Sequence, residues 1–417
     1  MIRSIVTLIW NQRRKNAFIV IEMFLLFFLL FFSGFFFLEK LTDYWYPENY
    51  SLENRIYLSI NTNNGNPKEH LKKQSDLLER LSMVSGVLKV STVFHSPLSY
   101  SSSYSSVGVG KKKIQALYRG GDENLKDLLG FKLISGRWYS KEEVNNYAAT
   151  YPFDDDTLLA KLDKSQDDFV LDIVSMPIVI DRLMAEKIGV ANTLGTTVIA
   201  NHRKCVVVGV VEPVKTSPFE KVEACIFFPV QFLSAGESGI EYCLLTDGSG
   251  NSSIFQNISL AINSVFEKSQ VKTNVLTSMV SLRANIVARD RVDLVLLSFL
   301  TLFVLFTALL GLVGILTYSI NKRKAEIGIL RAVGSTNAAL RWRLVLEMVF
   351  VSLMGVIPAA ILLAQIPLLG TFPIEPMFFY SSLAFIFFFI IVLVVVFVWY
   401  PAVMASRIEP ARALKDE

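Results

Sequence analysis

Four long, predominantly apolar runs separate the chain into membrane and non-membrane parts. They cover residues 17–38, 294–320, 344–369 and 377–400. Each run reaches the roughly 20 residues that an α-helix needs to cross the hydrocarbon core of a bilayer, and each is apolar on all sides. The pattern therefore predicts four transmembrane helices, with one large segment of different patterning, residues 42–293, between the first and the second.

That segment shows the shorter periodicities of a mixed α/β domain. Alternating residues at 55–60 and 87–94 predict strands on either side of a helix whose apolar positions lie within residues 68–83. The same strand–helix–strand order returns over residues 241–276. Two such halves predict a split βαβ arrangement of the ferredoxin-like type.

The predicted fold class is a membrane α-helical protein with an α+β extracytoplasmic domain. The split βαβ halves form one lobe over residues 50–120 and 241–280, and a β-rich lobe, residues 121–240, is inserted between them. Two polar stretches, residues 99–106 and 145–168, favour mobile solvated loops. The alternative is that they form a tip that touches a partner.

Basic residues beside the predicted helices indicate their orientation. They cluster before the first span, in the link at residues 321–343 and in the tail at 401–417, whereas the turn at 370–376 carries only Glu375. The positive-inside rule therefore places both termini and the link in the cytoplasm and the large domain outside. Residues 1–16 have the apolar spacing of an amphipathic helix on the inner leaflet.

One acidic residue, Glu22, falls inside the first span. An acid within a membrane is a functional candidate. Because Glu22 lies only about one turn into the span, the competing interpretation is that its side chain reaches the interface.

Composition agrees with a membrane protein, since 52% of residues are hydrophobic and 19% are charged. The net charge of +4 is too mild to indicate nucleic-acid binding. Cys205, Cys225 and Cys243 each lie in a short apolar run without C-x-x-C spacing, which predicts buried strand thiols and leaves one disulfide open. The three histidines are scattered, so no metal site is predicted.

The chain lacks the motifs of the common enzyme classes. Gly110-Lys111 resembles part of a phosphate loop, but Ser105 stands where the first glycine belongs and Lys112 where Ser or Thr belongs. No G-x-S-x-G or H-E-x-x-H pattern occurs. We therefore expect no catalytic residue, no metal ligand and no cofactor in this chain.

The link between the second and third spans is short, basic and amphipathic. Ile329 and Val333 share one face at i, i+4, and Ile327 and Leu330 lie at i, i+3. Gly334 is suited to end a helix. Such a helix could dock an apolar face into the groove of a partner; the alternative is an ordinary interfacial helix.

The run KRKAEIGILRAVGST in this link resembles the signature of MacB/FtsX-type ABC transporter permeases, R-x-x-E-I-G-I-L-R-A-x-G. The matching positions are Arg323, Glu326, Ile327, Gly328, Ile329, Leu330, Arg331, Ala332 and Gly334. The stretch LISGRWYS and the tail YPAVMASRIEPARALKDE resemble further elements of the same family.

The resemblance implies a permease of the type VII, mechanotransmission class, in an inner membrane and acting as a homo- or heterodimer. The link would be the coupling helix that contacts an ABC ATPase dimer, with the residues named above and Val333 at the contact. ATP and Mg²⁺ would be bound by that ATPase, expected as a separate subunit. A periplasmic adaptor or outer-membrane channel is a further implied partner.

Two outputs follow from the resemblance. The favoured one is export of a peptide, an antibiotic or a lipidated cargo. The other is an FtsX-like regulator whose outer domain activates a cell-wall hydrolase. A membrane-anchored sensor or adhesin without an ATPase is a third interpretation.

Overall fold

The structure is a computed structural model that describes residues 13–62, 67–99, 102–110, 112–143, 145, 171–190, 192–200, 203–229, 240–248, 252–267, 271–322, 329, 333, 335–370 and 375–406. The chain divides into two compact units. Residues 43–290 form what we call the α/β unit, and residues 1–42 together with 291–417 form the helical unit.

The first part of the α/β unit is a four-stranded antiparallel sheet with two helices on one face. Its elements are β1 (Arg55–Thr62), α2 (Pro67–Ser82), β2 (Val87–Phe94), β10 (Ile240–Thr246), α5 (Ser252–Val265) and β11 (Val271–Ser278). The strand order is β11-β1-β10-β2, which is the order of a split βαβ fold. The predicted split βαβ arrangement is therefore confirmed.

Alternation along β1 explains why this sheet is covered on both faces. Leu58 and Ile60 are buried in the same cluster as Leu77 of α2 and Ile258 of α5. Tyr57, pointing the other way, is buried in a different cluster. Successive apolar residues of β1 thus point to opposite faces of the sheet and contribute to two separate cores.

The second part of the α/β unit is a closed ring of strands. Its elements are β3 (Ser103–Val109), β4 (Lys112–Gly121), α3 (Leu125–Leu129), β5 (Leu133–Gly136), β6 (Leu171–Asp181), α4 (Arg182–Ile188), β7 (Thr197–Ala200), β8 (Arg203–Val211) and β9 (Cys225–Pro229). The pairing runs β4-β3-β7-β8-β6-β9 and returns to β4 through a parallel β4–β9 pair. Closure pairs each of these six strands on both sides, which removes their open edges, whereas β5 pairs only with β8.

Strand pairing changes two features of the sequence interpretation. The prediction of a mobile loop at residues 99–106 is wrong for its second half, because Ser103–Val109 is a strand paired with both β4 and β7. β3 and β4 also pair mainly within the ring, although β4 reaches β2 through Val93 and Phe94. The β-rich lobe therefore takes in residues that precede 121.

The helical unit contains long apolar helices. Among the described residues, four helices are long and apolar enough to cross a membrane, as predicted. They are α1 (Arg13–Trp45), α6 (Met279–Lys322), α7 (Asn337–Leu363) and α8 (Pro376–Ser406). α1, α7 and α8 share one core that includes Phe31, Met348 and Ile390, whereas most apolar side chains of α6 are exposed.

The three cysteines are buried and form no disulfide. Cys205 lies in β8, Cys225 in β9 and Cys243 in β10. The prediction of buried strand thiols is confirmed. Burial raises the pKa of the Cys243 thiol to about 12, so this group stays protonated and unreactive at neutral pH.

Candidate coupling site

Two residues of the predicted coupling helix lie within the described part of the chain. Ile329 is helical, and the Val333 amide donates a hydrogen bond to the Ile329 carbonyl at 3.0 Å. This i→i−4 bond places both side chains on one face, where they are 52% and 82% exposed. Arg323, Glu326, Ile327, Gly328, Leu330, Arg331 and Gly334 lie outside the described residues.

The link ends at a capped helix. The Thr336 Oγ1 accepts a hydrogen bond from the Ala339 amide at 3.2 Å, and α7 begins at Asn337. Capping by threonine satisfies one of the free amides of the first turn. α7 therefore begins before residue 344, where the apolar run begins, so its first turns carry the polar end of the link.

An aromatic cluster lies at the start of α7 and the end of α8. The rings of Trp342 and Trp399 meet edge to face, with centroids 5.4 Å apart, and the Arg341 guanidinium lies 6.0 Å from the Trp399 centroid. Tryptophan and arginine are favoured at membrane interfaces. In the sequence, Arg341 is one of several basic residues of the link, and neither tryptophan belongs to a motif named above. Their position at the ends of two apolar runs was the available signal.

Glu22 packs against α6 within the helical unit. A β-carbon built on Gly311 would lie 2.5 Å from Glu22 Oε1, and Glu22 Oε2 is buried without a hydrogen-bond partner among the described residues. The carboxylate therefore lies against the backbone of α6, and the interpretation that it reaches the membrane interface stays a prediction. The absence of a side chain at Gly311 is what allows the carboxylate this close approach.

Buried carboxyl groups of the α/β unit have structural partners. Desolvation raises the pKa of Asp181 to about 7, and its Oδ1 caps α4 by accepting the Met184 amide at 2.7 Å. Desolvation likewise raises the pKa of Asp122 to about 6, while Ser91 Oγ donates to this carboxylate at 2.6 Å. Within the described residues, no group of three or more His, Cys, Asp or Glu side chains could hold a metal ion.

The chain is similar to known permease proteins. The family described as FtsX-like permease C-terminal matches residues 298–410, a range that spans the link and its flanking helices. The macrolide export ATP-binding/permease protein MacB 2 of Aeromonas hydrophila is 25% identical over 293 residues, which are 69% of this chain and 41% of that protein. The corresponding MacB of Rhodopseudomonas palustris is 22% identical over 328 residues, 76% of this chain and 45% of that protein.

The chain thus spans less than half the length of these curated relatives. Among solved structures, the periplasmic region of MacB from Actinobacillus actinomycetemcomitans is 20% identical, with a TM-score of 0.37 over 56% of this chain and 92% of that one.

Proposed function

We propose that the chain is a permease subunit of an ABC transporter, because residues 298–410 match the family described as FtsX-like permease C-terminal. In this proposal an ABC ATPase dimer on separate polypeptides binds ATP and Mg²⁺ and performs the hydrolysis. The chain itself receives the resulting motion at the link and passes it to the α/β unit.

The observation that carries this proposal is the exposed apolar pair Ile329 and Val333 on one helical turn. Exposed apolar side chains in a short basic link fit an amphipathic helix that lies in a partner's groove. Burial of such a side chain stabilises a contact by about 1.5–3 kcal/mol. The family match includes both residues. The remaining positions of the motif are assigned to the ATPase contact in this proposal from the sequence alone.

The mechanism we propose is mechanotransmission. The chain enters the α/β unit through α1 and leaves it through α6, so displacement of either helix is passed on covalently. Packed helices move as units, and ATP shifts the equilibrium through its different affinity for the two states. The apolar runs carry few charged residues, so they offer no polar path for cargo across the bilayer.

The cargo and the location follow as further parts of the proposal. The names of the relatives specify macrolide export. We infer an exported peptide, antibiotic or lipidated compound that is engaged by the α/β unit on the outer side of an inner membrane. A second permease, identical or related, would complete the transporter.

The test is purification of the tagged chain from its native membrane with any associated ATPase. Val333→Asp and Ile329→Asp should reduce ATPase recovery by about tenfold or more, because a charge replaces an apolar contact. Ser335→Asp is the matched control, since it adds the same charge to an exposed polar position two residues away. Equal ATPase recovery in all variants would overturn the coupling assignment.

A further inference from the structure

Lys215 is a fully buried lysine that caps the end of α1. Its side chain is 0% exposed, and its Nζ donates to the backbone carbonyls of Asp43, of Tyr46 at 3.4 Å and of Pro218 at 2.7 Å. Asp43, although part of α1, belongs to the same compact unit as the sheet. A cation at the C-terminus of a helix satisfies its free carbonyls and its dipole.

The segment that carries Lys215, residues 212–220 between β8 and β9, makes further contacts with the end of α1. We call it the strap. The Asn49 Nδ2 donates to the Pro213 carbonyl at 2.9 Å, and the Tyr44 and Phe219 rings stack with centroids 4.8 Å apart. Polar and aromatic contacts therefore hold the strap along the last turn of α1 and the residues that follow it.

The same junction also includes the beginning of α6. The Lys215 amide donates to the Glu48 carbonyl at 3.2 Å, and the Glu48 carboxylate pairs with the Arg283 guanidinium at 2.6 Å. Arg283 lies in the second turn of α6. The beginning of α6 is thus linked to the strap through Glu48, which follows the end of α1.

On its other side the strap is anchored to the sheet through Thr216. The Thr216 Oγ1 accepts a hydrogen bond from Arg119 Nη2 at 2.6 Å, and its carbonyl accepts the Leu98 amide at 2.9 Å. Arg119 is 3% exposed and lies in β4, the strand that joins the ring to β2. Adjacent residues of the strap, Lys215 and Thr216, therefore bond to the helix end and to the sheet respectively.

We propose that the strap transmits displacement of α1 to the sheet and that Lys215 is the positioning residue of this transmission. Because Lys215 bonds to the end of α1 and Thr216 bonds to β4, the strap moves with α1 and displaces β4. The proposal rests on the proposed function, because it requires nucleotide-driven motion of α1. Without the Lys215 ammonium, α1 and the strap keep their covalent connections but lose the buried polar tie between them.

The experiment is hydrogen–deuterium exchange of the full chain in complex with its co-purified ATPase, with and without ATP and vanadate. Lys215→Met keeps the length of the side chain and removes the ammonium. Lys221→Met is the matched control, because Lys221 is exposed just beyond the strap. The measured quantity is the exchange protection of the β4 and β9 amides with ATP and vanadate, divided by their protection without nucleotide. Coupling between two sites typically changes binding affinity by about 5- to 150-fold, and we expect a change in exchange protection within this range.

We expect a ratio well above one in β4 and β9 for the wild type and for Lys221→Met. For Lys215→Met we expect a ratio near one in these strands, while the nucleotide response at the link persists. An unchanged ratio in Lys215→Met would overturn the strap proposal and leave the proposed function standing. If the wild type shows no response in the α/β unit, the proposed function itself fails.

If Lys215→Met loses exchange protection throughout the α/β unit, the variant is misfolded, and Phe219→Leu is measured in its place. This variant removes ring stacking with Tyr44 and retains an apolar side chain. A reduced ratio supports the strap, and a ratio equal to that of the wild type contradicts it.

Discussion

Gly355 of α7 lies so close to α1 that a β-carbon at Gly355 would stand 2.3 Å from the Val20 carbonyl oxygen. The same β-carbon would lie 3.0 Å from the Phe24 amide nitrogen. Both neighbours are backbone atoms, so the contact cannot be relieved by rotation of a side chain. The approach of α1 to α7 therefore depends on glycine at this position.

We predict that Gly355→Ala destabilises the helical unit by about 1–3 kcal/mol, the usual cost of forcing extra volume into a packed interior. The measurement is the thermal unfolding midpoint of the purified chain in detergent. Gly314→Ala in α6 is the control, because a β-carbon there would meet nothing within 4 Å. Equal midpoints for the two variants would contradict the close approach.

We predict that Asp181→Asn removes a pH-dependent loss of stability. The pKa of Asp181 is raised from 3.8 to about 7, chiefly by desolvation. A raised folded-state pKa means that this group's contribution to stability is complete below about pH 4 and is lost as the pH rises through about 7. Asparagine keeps the cap on α4 and carries no charge.

The unfolding midpoint of Asp181→Asn should therefore exceed that of the wild type at pH 8 and approach it at pH 4. The difference in free energy is expected to be about 2–4 kcal/mol. Asp76→Asn, at an exposed aspartate, should retain the pH dependence of the wild type. A difference between Asp181→Asn and the wild type that does not change with pH would refute the assignment.

We predict that Tyr139→Phe destabilises the α/β unit by about 1 kcal/mol, because it removes a buried hydrogen-bond donor. The Tyr139 hydroxyl lies 3.0 Å from the Gly121 carbonyl oxygen and 3.1 Å from that of Phe228, at the ends of β4 and β9. Denaturant unfolding measures the effect. Tyr104→Phe, at an exposed tyrosine, is the control and should change stability by less.

We predict that a cysteine at Ser106 is labelled from outside intact cells or spheroplasts. Ser106 is exposed in the α/β unit, while the native thiols of Cys205, Cys225 and Cys243 are buried and give little background. Ser335→Cys, in the link, should react only after permeabilisation. Labelling in the reverse order would overturn the proposed orientation.

Part of the candidate site was predictable and part was not. The spacing of Ile329 and Val333 predicted a shared face, and the bond between them agrees with that spacing. The contact of Glu22 with Gly311 was not predictable, because it depends on which helices become neighbours. The burial of Lys215 was not predictable either, because a single lysine in a loop is ordinarily expected to be exposed to solvent.

The sequence by itself determined the elements whose pattern of apolar residues depends directly on their surroundings, namely lipid for the spans and a core on one face for the strands. A bilayer requires about 20 apolar residues for each span, and a half-buried sheet requires alternation, so both features are visible along the chain. Only the tertiary structure decided the closure of the strands into a ring, the pairing of Ser103–Val109 and the burial of Lys215. Each of these depends on partners distant in sequence, whose backbone carbonyls and amides have no residue-specific signature.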